Sequence, residues 1–412
     1  MEQIIVIGGG AAGLFAAISA AESGKEVLLV EKNEKIGKKL FITGKGRCNV
    51  TNNAGIKTYI QNIYPNGKFL YHAFSTFFVE DTVIFFEDRN VPLVLERGER
   101  YFPKSGKSSD IVKALQLECN RLKINILYNT VLIKINTKNN EISSIEIESE
   151  HKKRTITTNK VILATGGLSY PLTGSSGDGY KIAHQLGHTI TKTMPSLVGL
   201  IFENNFSCPI NNITLKNVAA TLLINGKKIC SEFGEMEMSK NTLTGPIILT
   251  LSRTAVNALT NNEKVEISID FKPALDTEQL DKRLLRDFET NSKMKFKDLL
   301  KLLFPQDLIP FFIELLNVNE NKIANQITSK ERKKLLNSTK DLRFKIIDNE
   351  GFNRAIITAG GIVTDEINPI TMESKKIKGL FFAGEIIDLD AKTGGFNLQI
   401  AFSTGFLAGK NI

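Results

Sequence analysis

The chain has 412 residues, of which 42% are hydrophobic and 24% charged, and carries a formal charge of +9. That length exceeds what a single core sustains and predicts two or three domains, while the balance is that of an ordinary soluble globular protein. No apolar run reaches the roughly 18 residues a membrane span requires, which excludes a spanning helix. Residues 4–21 imitate a signal peptide, but Glu2 stands where a basic segment belongs, and the run carries four glycines before leading into a second strand. Export is therefore not expected, and the cytoplasm is the expected compartment. Cys48, Cys119, Cys208 and Cys230 lie far apart and form no Cys-x-x-Cys pair. Neither a zinc site, a disulfide framework nor a dithiol redox centre is expected. The basic clusters at 32–45, 293–301 and 330–334 read as a solvated lysine-rich surface, and no nucleic-acid-binding module accompanies them.

In chain order, residues 3–7 predict an apolar strand, 11–23 a helix of small residues, and 26–31 a second strand. Residues 110–122 have helical spacing, with Ile111, Ala114, Leu115 and Cys119 on one face. Strands are expected at 142–147, 154–158 and 161–164. From about Pro195 the texture changes to short strands at 198–203, 218–224, 247–251 and 265–271, with an Asn225-Gly226 turn. Residues 277–334 are helical in period, with proline breaks at Pro305 and Pro310. Near Asn353 the α/β texture returns, and a last helix begins at about Asn397.

Three motifs carry chemistry. Gly8-Gly9-Gly10-Ala11-Ala12-Gly13 follows a strand and opens a helix, the setting in which Gly-x-Gly-x-x-Gly binds a dinucleotide. Gly8 permits the tight turn, Gly10 lets the backbone approach a pyrophosphate, and Gly13 lets helix and strand pack closely. The helix N-terminus offers free N–H groups to the phosphates. Glu31 lies 18 residues past Gly13, where a carboxylate accepts the two ribose hydroxyls of an adenosine half and repels a 2′-phosphate. The second motif is the strand and glycine turn at 161–167, through Ala164, Thr165 and Gly166. The third is the strand at 379–383 that ends in Gly384-Glu385, followed by Thr393-Gly394-Gly395-Phe396-Asn397-Leu398-Gln399.

Together these motifs resemble the two-dinucleotide-binding-domain flavoproteins. More narrowly, Thr43-Gly44-Lys45-Gly46-Arg47-Cys48-Asn49-Val50-Thr51-Asn52 resembles the bacterial family of NAD(FAD)-utilising dehydrogenases. That family includes aminoacetone oxidases and reductases of steroid-ring enones in bile acids. Arg100-Tyr101-Phe102-Pro103, residues 174–179 and residues 394–399 match it as well. The resemblance implies an α/β fold: a discontinuous Rossmann-like FAD-binding domain at 1–190 and 350–412. A β-rich, barrel-like domain at 191–275 and 335–349 interrupts it, carrying a helical subdomain at 276–334. It further implies that the insert faces the flavin and shapes the substrate pocket. The residues it assigns to FAD are Gly8, Gly10, Ala11, Ala12, Gly13, Glu31, Lys32, Lys39, Gly46, Arg47, Cys48, Asn49 and Val131. Ala164, Thr165 and Gly166 pass near the cofactor, and Gly384, Glu385, Gly395, Phe396, Asn397 and Leu398 hold the ribityl chain and flavin ring. One departure stands out: where the family has Thr-His-x-Gly-Leu-Ser-Gly-Pro, residues 239–246 place Lys240 in the position of the histidine.

Other signals are weaker. Gly106-Lys107-Ser108 imitates the end of a phosphate-binding loop, but Tyr101 stands where that loop needs glycine. His184 and His188 are four apart without a third ligand, so no metal is expected. Cys48, flanked by Lys45 and Arg47, could be a low-pKa thiol, although a small residue packed beside the cofactor is the favoured reading. No catalytic constellation is evident. Tyr170 and Lys240 are acids by type only, as befits an enzyme whose cofactor carries the chemistry. The expected activity is FAD-dependent hydride transfer through flavin N5 on a small enone, imine or amine. NAD(P)H, bound transiently since a second Gly-x-Gly-x-x-Gly unit is missing, or dioxygen would be the redox partner. Rival readings are a flavoprotein that binds RNA through its basic surface and a flavin-binding protein without turnover. At the last helix, the expectation is that Gly394 and Gly395 bring free backbone N–H groups to the N1–C2=O edge of the flavin.

Overall fold

The computed structural model describes residues 3–203, 206, 207, 210 and 212–412; Glu2 and Cys208, used above, lie outside them. The chain divides into two compact units, Met1–Pro195 with Ala355–Ile412, and Ser196–Arg354.

In the first unit, Ile4 to Ile7 and Val27 to Val30 are buried without alternation, the pattern of strands covered by helices on both faces. Five parallel strands accordingly lie in the order Leu380–Phe382, Val161–Leu163, Gln3–Ile7, Glu26–Val30, Asn125–Leu127. This is a Rossmann-type sheet completed by a strand from the C-terminal end of the chain. The helix Ala11–Glu22 packs along the last helix, Phe396–Asn411. Small residues make that approach possible: a methyl on Gly405 would lie 2.2 Å from the Ala12 carbonyl oxygen, and one on Gly409 the same distance from that of Ala16. Phe15 on the first helix then meets Phe85 at 4.7 Å and Phe402 at 4.4 Å between ring centroids. An antiparallel meander of Thr130–Lys138, Glu141–Ser149 and Lys152–Thr157 extends the unit. The helix expected at 110–122 runs over Ser108–Arg121. Among the described residues no single helix is long and apolar enough to cross a membrane.

The second unit is built on a closed barrel of six antiparallel strands. Their order is Leu200–Phe202, Thr242–Thr244, Lys227–Ser239, Ile213–Ile224, Val265–Asp270, Leu342–Asn349. Residues 247–251, expected as a strand, instead open the helix Pro246–Thr260. Pro246 occupies its first turn, where the missing N–H has no partner to lose, and Ile247, Ile248, Leu251, Ala255 and Val256 form one buried face. The helical part holds Thr277–Thr290, Phe296–Leu300, Ile309–Leu316 and Ser329–Lys340. Pro310 is not a break but sits in the first turn of Ile309–Leu316. Capping boxes at Asp276 with Gln279 and at Thr328 with Glu331 start the two longest of these helices. Lys240 lies exposed at the tip of the hairpin between Lys227–Ser239 and Thr242–Thr244.

One cluster in the first unit contributes to acid sensitivity. The buried Glu118 carboxylate accepts from Arg121 Nη2 and from Arg89 Nη2, each at 2.6 Å. The Arg121 bond, opposed by burial and reinforced by Arg89, lowers its pKa from 4.5 to about 2. A depressed carboxyl pKa stabilises the fold above the unfolded value. That contribution, about 2–3 kcal/mol, is lost as pH falls from about 4.5 toward 2. Urea melts from pH 6 to pH 3 should therefore show a shallower loss of stability for Glu118→Gln than for the wild type. Parallel pH profiles would show that Glu118 does not carry the acid sensitivity.

Candidate functional site

The glycine turn is defined by what would collide with it. Gly8 has φ +103°, its N–H donates to the Val30 carbonyl at 2.8 Å, and an added Cβ would lie 2.5 Å from the Ala164 carbonyl oxygen. An added Cβ on Gly13 would lie 1.8 Å from the Gly8 carbonyl oxygen. Both glycines are thus imposed by the chain's own packing. Gly10 differs: its φ of −84° suits any residue, and nothing lies within 4 Å of where its Cβ would be. The open space beside Gly10 adjoins the first turn of Ala11–Glu22, whose leading N–H groups lack intrahelical acceptors. A pyrophosphate fits that cradle by both shape and charge.

Glu31 is buried, and its carboxylate is already engaged by protein. Oε2 accepts from the Gly9 N–H at 2.7 Å, and Oε1 accepts from Asn33 N at 2.8 Å and Asn33 Nδ2 at 2.6 Å. An ionised carboxylate has about four acceptor positions, so the same group can clasp the glycine turn and still meet a ribose hydroxyl. Asn33, which sequence reasoning missed, also donates to the Thr173 carbonyl at 3.2 Å. Beside it, Lys32 Nζ reaches Asp178 Oδ2 at 2.7 Å and bonds Ser176. The loop after Val161–Leu163 is thereby fastened to the end of the second strand. The Thr130 N–H donates to the Glu31 carbonyl at 3.0 Å, which brings the neighbouring Val131 to the same region.

The second and third motifs meet through a buried polar cluster. Lys39 Nζ lies 2.6 Å from Glu385 Oε2 and 2.6 Å from Ser169 Oγ. Glu385 Oε1 accepts from Ser169 Oγ at 2.6 Å and from the Thr358 N–H at 2.8 Å. Tyr180 donates to the Glu385 carbonyl at 3.2 Å, and burial raises its pKa well above the usual phenol value. The Ala164 N–H donates to the Ile7 carbonyl at 2.9 Å, which sets the Ala164-Thr165-Gly166 turn beside Gly8. Thr165 Oγ1 is buried there without a protein partner, an orphaned hydroxyl at the place where the family resemblance puts the cofactor. Gly384 lies against the first helix, since a Cβ on it would be 2.6 Å from Ala12 Cβ.

The string at 43–52 wraps the start of the last helix. Gly44, Lys45, Gly46 and Cys48 all have left-handed backbone conformations. Arg47 pairs with Glu96 and lies 4.3 Å over the Phe102 ring. Cys48 is fully buried, and burial pushes its thiol up to about 12, so flanking cations do not make it a reactive thiolate. The Asn49 amide, turned so that both its groups are satisfied, donates to the Thr51 carbonyl at 3.2 Å and accepts from the Gly395 N–H at 3.1 Å. Asn52 Nδ2 donates to the Gly394 carbonyl at 2.9 Å. Gly395 has φ +101°, and its Cβ would lie 2.5 Å from the Thr51 backbone. The packing of the protein itself therefore demands glycine at 395. Phe396 packs on Tyr59 at 4.6 Å, and the Asn397 amide exchanges hydrogen bonds with the Ala391 backbone at 2.9 Å. Leu398 completes the first turn.

Signals set aside in the sequence have structural roles. Ser108 Oγ donates to the Phe41 carbonyl at 2.8 Å as Ser108–Arg121 begins. His188 is buried, with Nδ1 2.9 Å from Glu366 and Nε2 2.9 Å from Ser374 Oγ. Tyr170 has φ +51° and leads the short turn Pro171–Thr173.

The family model described as HI0933-like protein Rossmann domain matches residues 2–411. The chain is 31% identical to a 3-dehydro-bile acid delta(4,6)-reductase from Clostridium scindens, over 100% of this chain and 98% of that one. It is 29% identical to a ribosomal RNA dihydrouridine synthase from Haemophilus influenzae, over 100% of this chain and 98% of that one. In fold it is similar to a flavocytochrome c3 fumarate reductase at a TM-score of 0.51 and 17% identity, covering 100% of this chain and 78% of that one. The chain thus belongs to the HI0933-like family of Rossmann-fold flavoproteins and is an FAD-dependent oxidoreductase.

Proposed function

We propose that this enzyme reduces a carbon–carbon double bond conjugated to a carbonyl group in a small organic molecule, with NAD(P)H as the source of electrons. The observation that carries the cofactor half is the open space at Gly10 between two glycines that the packing itself requires. When bound, FAD supplies hydride transfer at its N5 position. What the chain supplies is position and charge. Gly8, Gly10 and Gly13 with the N–H groups of Ala11 and Ala12 would hold the pyrophosphate, and Glu31 the ribose, with Lys32 and Val131 alongside. The turn at Ala164, Thr165 and Gly166 and the third motif at Gly384 and Glu385, the latter braced by Lys39, would border the middle of the cofactor. Gly46, Arg47, Cys48 and Asn49 would fix the chain beside the opening turn of Phe396–Asn411. The N–H groups of Phe396, Asn397 and Leu398 would face the flavin edge that becomes negative on reduction.

The substrate class rests on the relatives. One name places a 3-oxo group in conjugation with ring double bonds, and the other describes the making of dihydrouridine, the product of reducing the uridine C5=C6 bond that is conjugated to a carbonyl. Both substrates are enones. The reading on RNA is the weaker, resting on the less similar relative and on the +9 charge.

Three measurements test this. Purified protein should carry FAD, lose its flavin absorbance with NADH or NADPH in the absence of oxygen, and recover it with a conjugated cyclic enone. Recovery with dioxygen alone would make it an oxidase and sink the enone reading. Recovery with RNA, steeply weakened by salt, would favour the rival. For the cradle, Gly10→Val should keep the fold, since its side chain meets open space, yet purify without flavin. A yellow Gly10→Val protein places the pyrophosphate elsewhere. Glu31→Ala should weaken FAD binding tenfold to hundredfold, about 1.5–3 kcal/mol, as isothermal titration of the apoprotein would show. Unchanged affinity removes the carboxylate from the ribose.

A further inference from the structure

We infer that Thr51 and Gln399 are positioning residues that set the flavin end of the site by fixing the register of the last helix. The inference rests on the FAD reading above. Both side chains are completely buried, as are those of Tyr59, Ser403 and Thr82 around them. Gln399 Oε1 accepts from Thr51 Oγ1 at 2.6 Å and from Thr82 Oγ1 at 2.9 Å. Gln399 Nε2 donates to Ser403 Oγ at 3.0 Å, and Ser403 in turn donates to the Phe77 carbonyl at 2.7 Å. Tyr59 OH lies 3.1 Å from Thr51 Oγ1, accepts from the Asn52 N–H at 3.0 Å and donates to the Asn52 carbonyl at 3.1 Å. Every hydroxyl in this cluster is satisfied by another member or by nearby backbone.

Such a cluster tolerates one register only. A slip of Phe396–Asn411 by a single residue would swing Gln399 through about 100°. Leu398 or Ile400 would then face the threonine hydroxyls, leaving buried donors without acceptors. Gln399 is the first residue of this helix whose N–H returns to the turn before it, donating to the Gly395 carbonyl at 3.2 Å. The pin therefore lies directly behind the N–H groups of Phe396, Asn397 and Leu398. It is joined in front by Asn49 on the Gly395 N–H and by Asn52 on the Gly394 carbonyl. Thr51 holds both sides, since its carbonyl accepts from Asn49 and its hydroxyl donates to Gln399. Donors that stabilise a developing anion work only if already in place, so the hydroxyl of Thr51 acts on the flavin through the helix.

The test uses the FAD-loaded enzyme and does not depend on turnover. Wild type, Thr51→Val and Thr51→Ser are photoreduced without oxygen across a pH series, with free FAD alongside. The absorbance of the reduced flavin reports its ionisation. The wild type should ionise at lower pH than free FAD. Thr51→Val, equal in volume but without the hydroxyl, should shift that pKa upward by about half to one and a half units. Thr51→Ser, which keeps the hydroxyl, should restore the wild-type value. A Thr51→Val protein that ionises like the wild type overturns the inference and leaves the FAD reading standing, as does a wild type that ionises like free FAD. A wild type without flavin overturns the FAD reading itself. Should Thr51→Val not retain FAD, Thr82→Val removes the other donor to Gln399 Oε1 and carries the same expectation and the same refutation.

Discussion

The first unit depends on one constraint: the helix Ala11–Glu22 is packed on two sides with no room for a methyl group. On one side Gly13 meets the Gly8 carbonyl at the end of the first strand. On the other, Gly405 and Gly409 of the last helix meet the Ala12 and Ala16 carbonyls. Dispersion gains of this kind are small per atom pair and large in sum, and they fall off steeply with any gap. The constraint ties residues about 390 positions apart, which is how the C-terminal strand Leu380–Phe382 comes to complete a sheet begun at Gln3. It also leaves the first helix poor in side-chain polarity, so what its N-terminus offers a ligand is backbone N–H.

That explains what could be read from the sequence. Glycines needed for packing and a glycine needed for a ligand occupy the same short motif, and their order within it assigns Gly8 and Gly13 to the fold and Gly10 to the ligand. The space around each differs accordingly: closed at 8 and 13, open at 10. At Gly395 the packing demand could not be read from the sequence, because the crowding atom belongs to Thr51, 344 positions earlier. Distance along the chain hid the polar cluster as well. Lys39, Ser169, Thr358 and Glu385 show no common pattern, and only the fold assembles them.

The second unit shows a different limit. The strand Lys227–Ser239 reads as KKICSEFGEMEMS, too charged and too irregular to signal a strand, and bulges where it pairs with Ile213–Ile224 break the alternation further. A barrel strand is specified by its neighbours more than by its own propensity. At 247–251 the error had the opposite sign, since a short isoleucine-rich run fits a buried strand and a buried helix equally well. The periodic face running on to Ala258 decides for helix, with Gly245-Pro246 as the start signal.

The Lys39–Glu385 pair bears on why the two ends of the chain close in one way only. Each side chain is mostly buried, and removing two charges from water costs several kcal/mol per ion, so the pair is a poor source of net stability. Its geometry offsets that cost: Ser169 bonds both partners, and the Thr358 N–H takes a further lone pair on Glu385. An apolar pair of equal volume would pack as well, but it would not distinguish the native approach of the turn after Leu380–Phe382 from one shifted by a residue. A charge left unpaired would. The same logic governs Gln399 among its threonines and serine, where a neutral amide does the discriminating. Both clusters sit where segments from opposite ends of the sequence join. Loose apolar packing could close the fold there, but it would not fix which backbone N–H groups the closed site presents.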